Sequence, residues 1–210
     1  MMAETLPKVW NNRFPSDSRA SVGVDYRLTD NDLSNRVLVS NAFNYPDGKP
    51  LRSTLVPECI FARVPGDPLK ARNWVRISDG LYVISESFRS VLVNFDLGTT
   101  QIIEVPLVDH QGAQQPGHWY LFHISELKSC LVPEQSRGIK QNEFVAVDWE
   151  PSWSTEELLA VNAASSEGVD LWIDPHMSRR IFLSDRLQSA LKAAGIRSPG
   201  MAMHRCRVVP

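Results

Sequence analysis

Apolar and polar positions alternate in an ordered way near the C-terminal end of the chain. In RIFLSDRLQSALKAAGI, Arg180 to Ile196, the apolar run Ile181, Phe182 and Leu183 leads into Ser184 and Asp185. Leu187, Ala190, Leu191 and Ala194 then recur at the spacing of one helical face, and Gly195 follows them. The pattern predicts a strand, a capped helix and a glycine stop. MAMHRCRVV, 201–209, reads as a closing strand.

The same order stands 99 residues earlier. WVRISDGLYVIS, 74–85, is rich in β-branched and aromatic residues and ends on Ser85, with Glu86 beside it. A serine hydroxyl accepts an orphan backbone N–H and a carboxylate favours the positive end of the helix dipole, so this pair predicts a helix start. Phe88, Val91, Leu92 and Phe95 form the buried stripe, Gly98 ends it, and TTQIIEVPL alternates Ile103, Val105 and Leu107 as a strand face. A strand, cap, helix and strand that occurs twice predicts two related units, each burying an amphipathic helix on a sheet.

Between the two units, GHWYLFHI and NEFVAVDWEP read as strands. STEELLAVNAA opens with Ser154 and Glu157 at capping-box spacing and predicts a short helix. GVDLWIDP returns to an extended segment that turns at Asp174 and Pro175. Residues 1–75 carry turn signals at YPDGKP and VPGDPLK, and their short apolar runs, NRVLVSNAF and ECIFARV, fit strands or single helical turns. The expectation is an α+β fold, one compact domain with two related β-α-β-like lobes whose short helices pack on small mixed sheets. It comprises an irregular N-terminal part over 1–75, a first lobe over 76–125 and a second over 126–210.

Composition narrows the function. The chain has 210 residues, 43% of them hydrophobic and 22% charged, which is ordinary for a globular protein able to bury a core. A formal net charge of −2, with no local cluster of Lys and Arg, argues against direct nucleic-acid binding. The first residues lack a signal-peptide pattern and no stretch has the roughly 18 apolar residues of a membrane span, so the expected location is the bacterial cytoplasm, away from the membrane. Three widely spaced cysteines, Cys59, Cys130 and Cys206, agree with reduced, buried thiols.

A search for catalytic signatures finds no dinucleotide fingerprint, phosphate loop, zinc-protease pair or nucleophile elbow. Asp109, His110, His118 and His123 are the nearest to a metal set, but residues five apart on a strand face opposite ways, so neither a metal nor a cofactor is expected. Cys130, or Cys206 beside His204, offers a nucleophile only if packing does not already explain those positions. Ser184, Asp185 and Arg186 read as a helix cap before an acid–base set. One stretch reads as a binding surface: VDWEPSWSTEE puts Trp149 and Trp153 among Asp148, Glu150, Glu156 and Glu157 around a proline. Rigid aromatics with acidic neighbours suit an interface with a basic protein.

IFLSDRLQSALKAAGI at 181–196, WYLFHI at 119–124 and LVPEQS at 131–136 together resemble a family of bacterial immunity proteins from polymorphic-toxin and contact-dependent competition systems, first catalogued through a myxobacterial member. The resemblance covers about residues 80–208; Phe122 and His123 stand where the family pattern has Asn, and Cys130 interrupts its acidic segment. It implies a non-enzymatic protein that binds a cognate toxin, such as a nuclease effector delivered by a type VI or similar secretion system, and blocks it. Two other classes fit the residues: a small hydrolase using His110, His118 or His204, and a non-catalytic adaptor subunit. The oligomeric state is left open.

Overall fold

The computed structural model describes residues 8–13, 23–66, 69, 72–143, 145, 147–152, 158–178, 180–196 and 202–210. In chain order the elements are β1 (Val9–Arg13), β2 (Val24–Arg27), α1 (Leu33–Asn44), β3 (Cys59–Ala62), β4 (Trp74–Arg76), β5 (Tyr82–Ser85) and α2 (Glu86–Leu92). There follow β6 (Gln101–Val105), β7 (Leu107–Val108), β8 (Trp119–His123), β9 (Ile139–Gln141), β10 (Trp149–Pro151) and β11 (Ala160–Asn162). The chain closes with β12 (Leu171–Ile173), β13 (Arg180–Ser184), α3 (Asp185–Ala193), β14 (Ala202–Arg205) and β15 (Arg207–Val209). The fold is α+β.

Two four-stranded sheets carry it, in the orders β4-β5-β8-β6 and β12-β13-β1-β14. Each is antiparallel between all neighbours. In each, the strand that enters the helix and the strand that follows it run parallel, with one strand slotted between them. This is a split β-α-β unit. The registers coincide pair by pair: Val75 faces Val83 as Trp172 faces Phe182, and Glu104 faces Tyr120 as Arg205 faces Trp10. The slotted strand differs in origin. In the first sheet it is β8, which follows β6; in the second it is β1, from the other end of the chain. Mixed pairing occurs in β2-β3-β7, where β3 runs antiparallel to β2 and parallel to β7.

The helix starts follow the expected chemistry. Ser85 accepts from the Phe88 N–H at 3.3 Å and Ser184 from the Leu187 N–H at 3.2 Å. Phe88 and Leu92 bury from α2, Leu187 and Leu191 from α3, and the two helices pack on each other. α3 ends as its sequence predicts. Gly195 takes φ +67°, its N–H reaches the Lys192 carbonyl at 3.1 Å, and the Ile196 N–H reaches Leu191 at 3.0 Å, a Schellman closure. α2 stops earlier than expected, at Leu92; Phe95 still packs on the core from beyond the helix, and Gly98 (φ +57°) serves the turn before β6.

β13 is buried along its whole length because both its faces are covered. Ile181 and Leu183 join the main core beneath α3, while Phe182 stacks on Trp172 at 6.0 Å in a second core with Val9, Cys130, Leu159, Val161, Met177 and Cys206. Trp74 centres the aromatic part of the main core, edge-on to Tyr82, Phe88 and Phe122 at 5.7, 5.3 and 5.6 Å.

Three local expectations need correction. LLAVN is not helical: Ala160–Asn162 pairs parallel with β15, burying Leu159 and Val161 in the second core, and a single 3-10 turn, Ala163–Ser166, follows. The proposed capping box, Ser154 to Glu157, lies outside the described residues. The closing strand is two, because Cys206 turns inward and the chain passes from β1 to β11 as its partner. Finally, NRVLVSNAF belongs to a 12-residue helix, so the N-terminal part is more regular than its composition suggests.

Candidate functional site

The stretch singled out for binding forms part of the β9–β10 hairpin, in which Trp149, Glu150 and Pro151 face Gln141, Lys140 and Ile139. Glu150 accepts from Lys140 at 3.1 Å and from Asn142 at 3.2 Å, and Lys140 also reaches Glu143 at 3.4 Å. This outer face therefore carries two carboxylates for one ammonium. Trp149 lies half-buried against the second core, its backbone N–H donating to His176 at 2.7 Å. Asp148 is not on that face. It is buried, and it accepts from the Ser178 N–H at 3.2 Å and hydroxyl at 3.4 Å, so it anchors the hairpin from beneath. Trp153, Glu156 and Glu157 lie outside the described residues.

The histidines do not converge. His110 is exposed in a turn; Asp109 beside it accepts the Gln111 and Ala113 N–H groups at 2.8 and 2.9 Å, and these bonds hold its carboxyl below the usual range. His118 is exposed and meets Glu104 at 2.7 Å, which raises its pKa. His123 is buried beneath α1, edge-on to Phe43 at 5.0 Å, with Nε2 donating to the Ala42 carbonyl at 3.3 Å; burial lowers its pKa. Among the described residues, no three His, Cys, Asp or Glu side chains are grouped to hold a metal.

The thiols are built into the packing. Trp172 Nε1 donates to Cys130 Sγ at 3.3 Å, and burial pushes that thiol far above its ordinary pKa. Asn11 Nδ2 donates to Cys206 Sγ at 3.4 Å, while His204 faces outward two residues away. Ser184 and Asp185 cap α3, and Arg186 pairs with the buried Asp170, which fixes SDR as a structural corner.

Sequence reasoning missed a different feature, helix α1 and its mooring. Asp32 caps it, accepting the Asn35 N–H at 2.7 Å, and Val39 and Phe43 pack inward. Arg36 lies over the Tyr26 ring at 4.5 Å and donates to Asp79 Oδ2 through Nε at 3.0 Å and Nη2 at 2.7 Å. Nη2 also reaches Asp25 Oδ1 at 3.1 Å, and Tyr26 donates its hydroxyl to Asp79 at 2.7 Å. Arg63 pairs with the other Asp25 oxygen. Burial alone would raise Asp25, but the bonds from Arg63, the Tyr26 N–H and Arg36 outweigh it and hold its pKa below the ordinary value. Asp79 itself sits at φ +58°, a conformation that costs an L-residue about 1–2 kcal/mol and that Asp tolerates better than most. The next residue must be glycine: at Gly80 (φ +87°) a Cβ would meet the Asn44 side chain at 2.7 Å. The signals for α1 were an Asp cap and twelve residues, 33–44, free of Gly and Pro.

The outer side of α1 is apolar. Leu33, Val37, Leu38 and Tyr45 are 79%, 50%, 45% and 48% exposed, half of the large hydrophobic side chains that stand out from the described surface.

Compared with models of known families, residues 18–203 match the immunity protein family (Imm11). A search of curated proteins finds no match.

Proposed function

We propose, from the premise that the chain belongs to the immunity protein family (Imm11), that it protects its cell by binding one cognate antibacterial toxin and holding it inactive. The family match over residues 18–203 carries this reading. Membership of such a family points to a non-enzymatic role, in which affinity takes the place of chemistry. A protein of this kind needs a rigid scaffold and an outward surface that desolvates well, and the doubled sheet-and-helix frame supplies the first.

The finer reading is that the toxin is a nuclease and that neutralisation takes place in the bacterial cytoplasm. An enzyme that grips phosphates presents a basic face, and acidic groups on its inhibitor would steer and register the encounter. Asp30 and Asp32 ahead of α1 and the carboxylate excess on the β9–β10 hairpin support that polarity.

The test is co-expression. The gene encoded beside this one is induced alone and together with this chain in a sensitive bacterium, followed by pull-down from surviving cells. Rescue of growth with a co-purifying complex is expected. A toxic neighbour that this chain neither relieves nor binds would overturn the reading.

A further inference from the structure

Helix α1 turns one complete side away from the protein. Leu33, Ser34, Val37, Leu38 and Asn41 are all exposed and their spacing places them along one face, and Tyr45 stands exposed at the C-cap just beyond. Four are large and apolar, two are small and neutral, and none is charged. The single charged residue of the helix, Arg36, is turned the other way into Asp25 and Asp79. An apolar helix face rimmed by polar groups marks an interaction site more often than chance exposure does.

Acidic groups outnumber basic ones at the rim. Asp30 and Asp32 stand exposed before the first turn, and beyond the last the exposed Asp47 pairs with Lys49 at 2.8 Å. The face is also held in place before any partner arrives. The Arg36 guanidinium spans two carboxylates, Asn44 donates to the Asp79 carbonyl at 3.0 Å, and Phe43 wedges between Tyr82 and His123. Preorganised anchors of this kind lose little entropy on binding.

We infer that the outer face of α1 is where the cognate toxin docks, with Val37 and Leu38 as its central anchors. The complementary toxin surface is an apolar patch bordered by Lys and Arg. This assignment rests on the immunity reading above. The acidic rim sets the association rate and the apolar centre sets the residence time.

The experiment titrates the purified toxin encoded beside this chain against the full-length protein, its V37D/L38D variant, a D30K/D47K variant and, on the hairpin, E150K. Thermal unfolding of each variant is recorded alongside. The expected result is an affinity loss of at least about thirtyfold for V37D/L38D, with its unfolding midpoint unchanged. For D30K/D47K the association rate falls and becomes less sensitive to salt. Tight binding by V37D/L38D while the wild type binds and protects would overturn the α1 assignment and leave immunity standing. So would loss of binding in E150K alone, which would place the interface on the hairpin. A wild-type dimer that V37D/L38D splits into monomers would show that a second copy covers the face. Failure of the wild type to bind or protect would overturn the immunity reading, and the α1 assignment with it.

Discussion

Ser184 and Asp170 are joined twice: the Ser184 N–H donates to the Asp170 carbonyl at 3.0 Å, and its hydroxyl donates to the Asp170 carboxylate. In the first unit Ser85 is joined to Asn73 by the same two bonds, at 2.9 and 3.0 Å. In each case the serine that caps a helix is also tied to the residue just ahead of the neighbouring strand, which fixes where strand becomes helix. Asp170 makes further bonds. It accepts from Arg186 through Nε and Nη2 at 2.5 and 2.6 Å and from the Asp96 N–H at 3.0 Å, and its own N–H donates to the Asp96 carbonyl at 2.6 Å, so it also joins the two lobes.

Asp170 should therefore be among the costlier polar residues to remove. Asp170→Ala strands buried donors and is expected to lower stability by about 2–3 kcal/mol, a figure in which the exposed Arg186 counts for little. Asp170→Asn preserves the arrangement used in the first unit and should cost less than half as much. Urea unfolding of both variants checks the order; equal losses would show that the charge, not the shared geometry, is what the fold requires.

β1 carries a residue whose replacement should stabilise. Asn12 is fully buried opposite Ile181 and Met203, and among the described residues its side-chain oxygen and nitrogen have no hydrogen-bond partner. The matching position in the first sheet is Phe122. Asn12→Leu removes an unsatisfied buried amide and is expected to gain about 1 kcal/mol, read as a higher urea midpoint. A loss of similar size would mean the amide is bonded in solution.

Two buried groups contribute to the acid limb of stability. His123 is buried and its pKa lies below 6.5, so the unfolded chain takes up that proton at a higher pH than the folded protein. Stability then rises with pH between the depressed value and 6.5, and it is lost as the pH falls through that window. Asp25 works lower down. With its pKa held below 3.8, its contribution is present above 3.8 and lost as the pH falls through the depressed value. Urea midpoints between about pH 5 and pH 7.5 should decline toward acid in the wild type and stay flatter in His123→Gln.

Asp79 combines a left-handed backbone with the ion pair that moors α1. Asp79→Gly and Asp79→Ala both lose Arg36 and Tyr26 as partners, but glycine alone escapes the strain at φ +58°. The glycine variant should be more stable than the alanine variant by about 1 kcal/mol. Hydrogen exchange along 33–44 should quicken in both, and unchanged protection there would dissociate Asp79 from the mooring.

The legible parts of this sequence are those where local and tertiary preferences agree. Ser184, Leu187, Leu191 and Gly195 each indicate the same helix, and the structure uses all four. The hidden parts are those where they conflict. β1 places two asparagines in the middle of a sheet, which no apolar pattern announces. α1 spreads apolar residues over both sides, Val39 and Phe43 inward but Leu33, Val37 and Leu38 outward, so its helical period is blurred. LLAVN has good helix propensity, yet pairing with β15 and burial in the second core override it. Motif resemblance revealed the family. It did not show which acidic residues stand exposed, because Asp148 cannot be told from an exposed aspartate without knowing that Ser178 lies beneath it.

Inhibition by stoichiometric binding is measured by titrating this protein into its purified cognate toxin while following both the toxin's activity and its mass. Activity is expected to fall linearly and reach its floor at one equivalent, with the toxin's mass unchanged and activity regained once the complex is dissociated. Loss of activity at far less than one equivalent, or a lasting change in the toxin's mass, would contradict it and show that the protein acts as an enzyme.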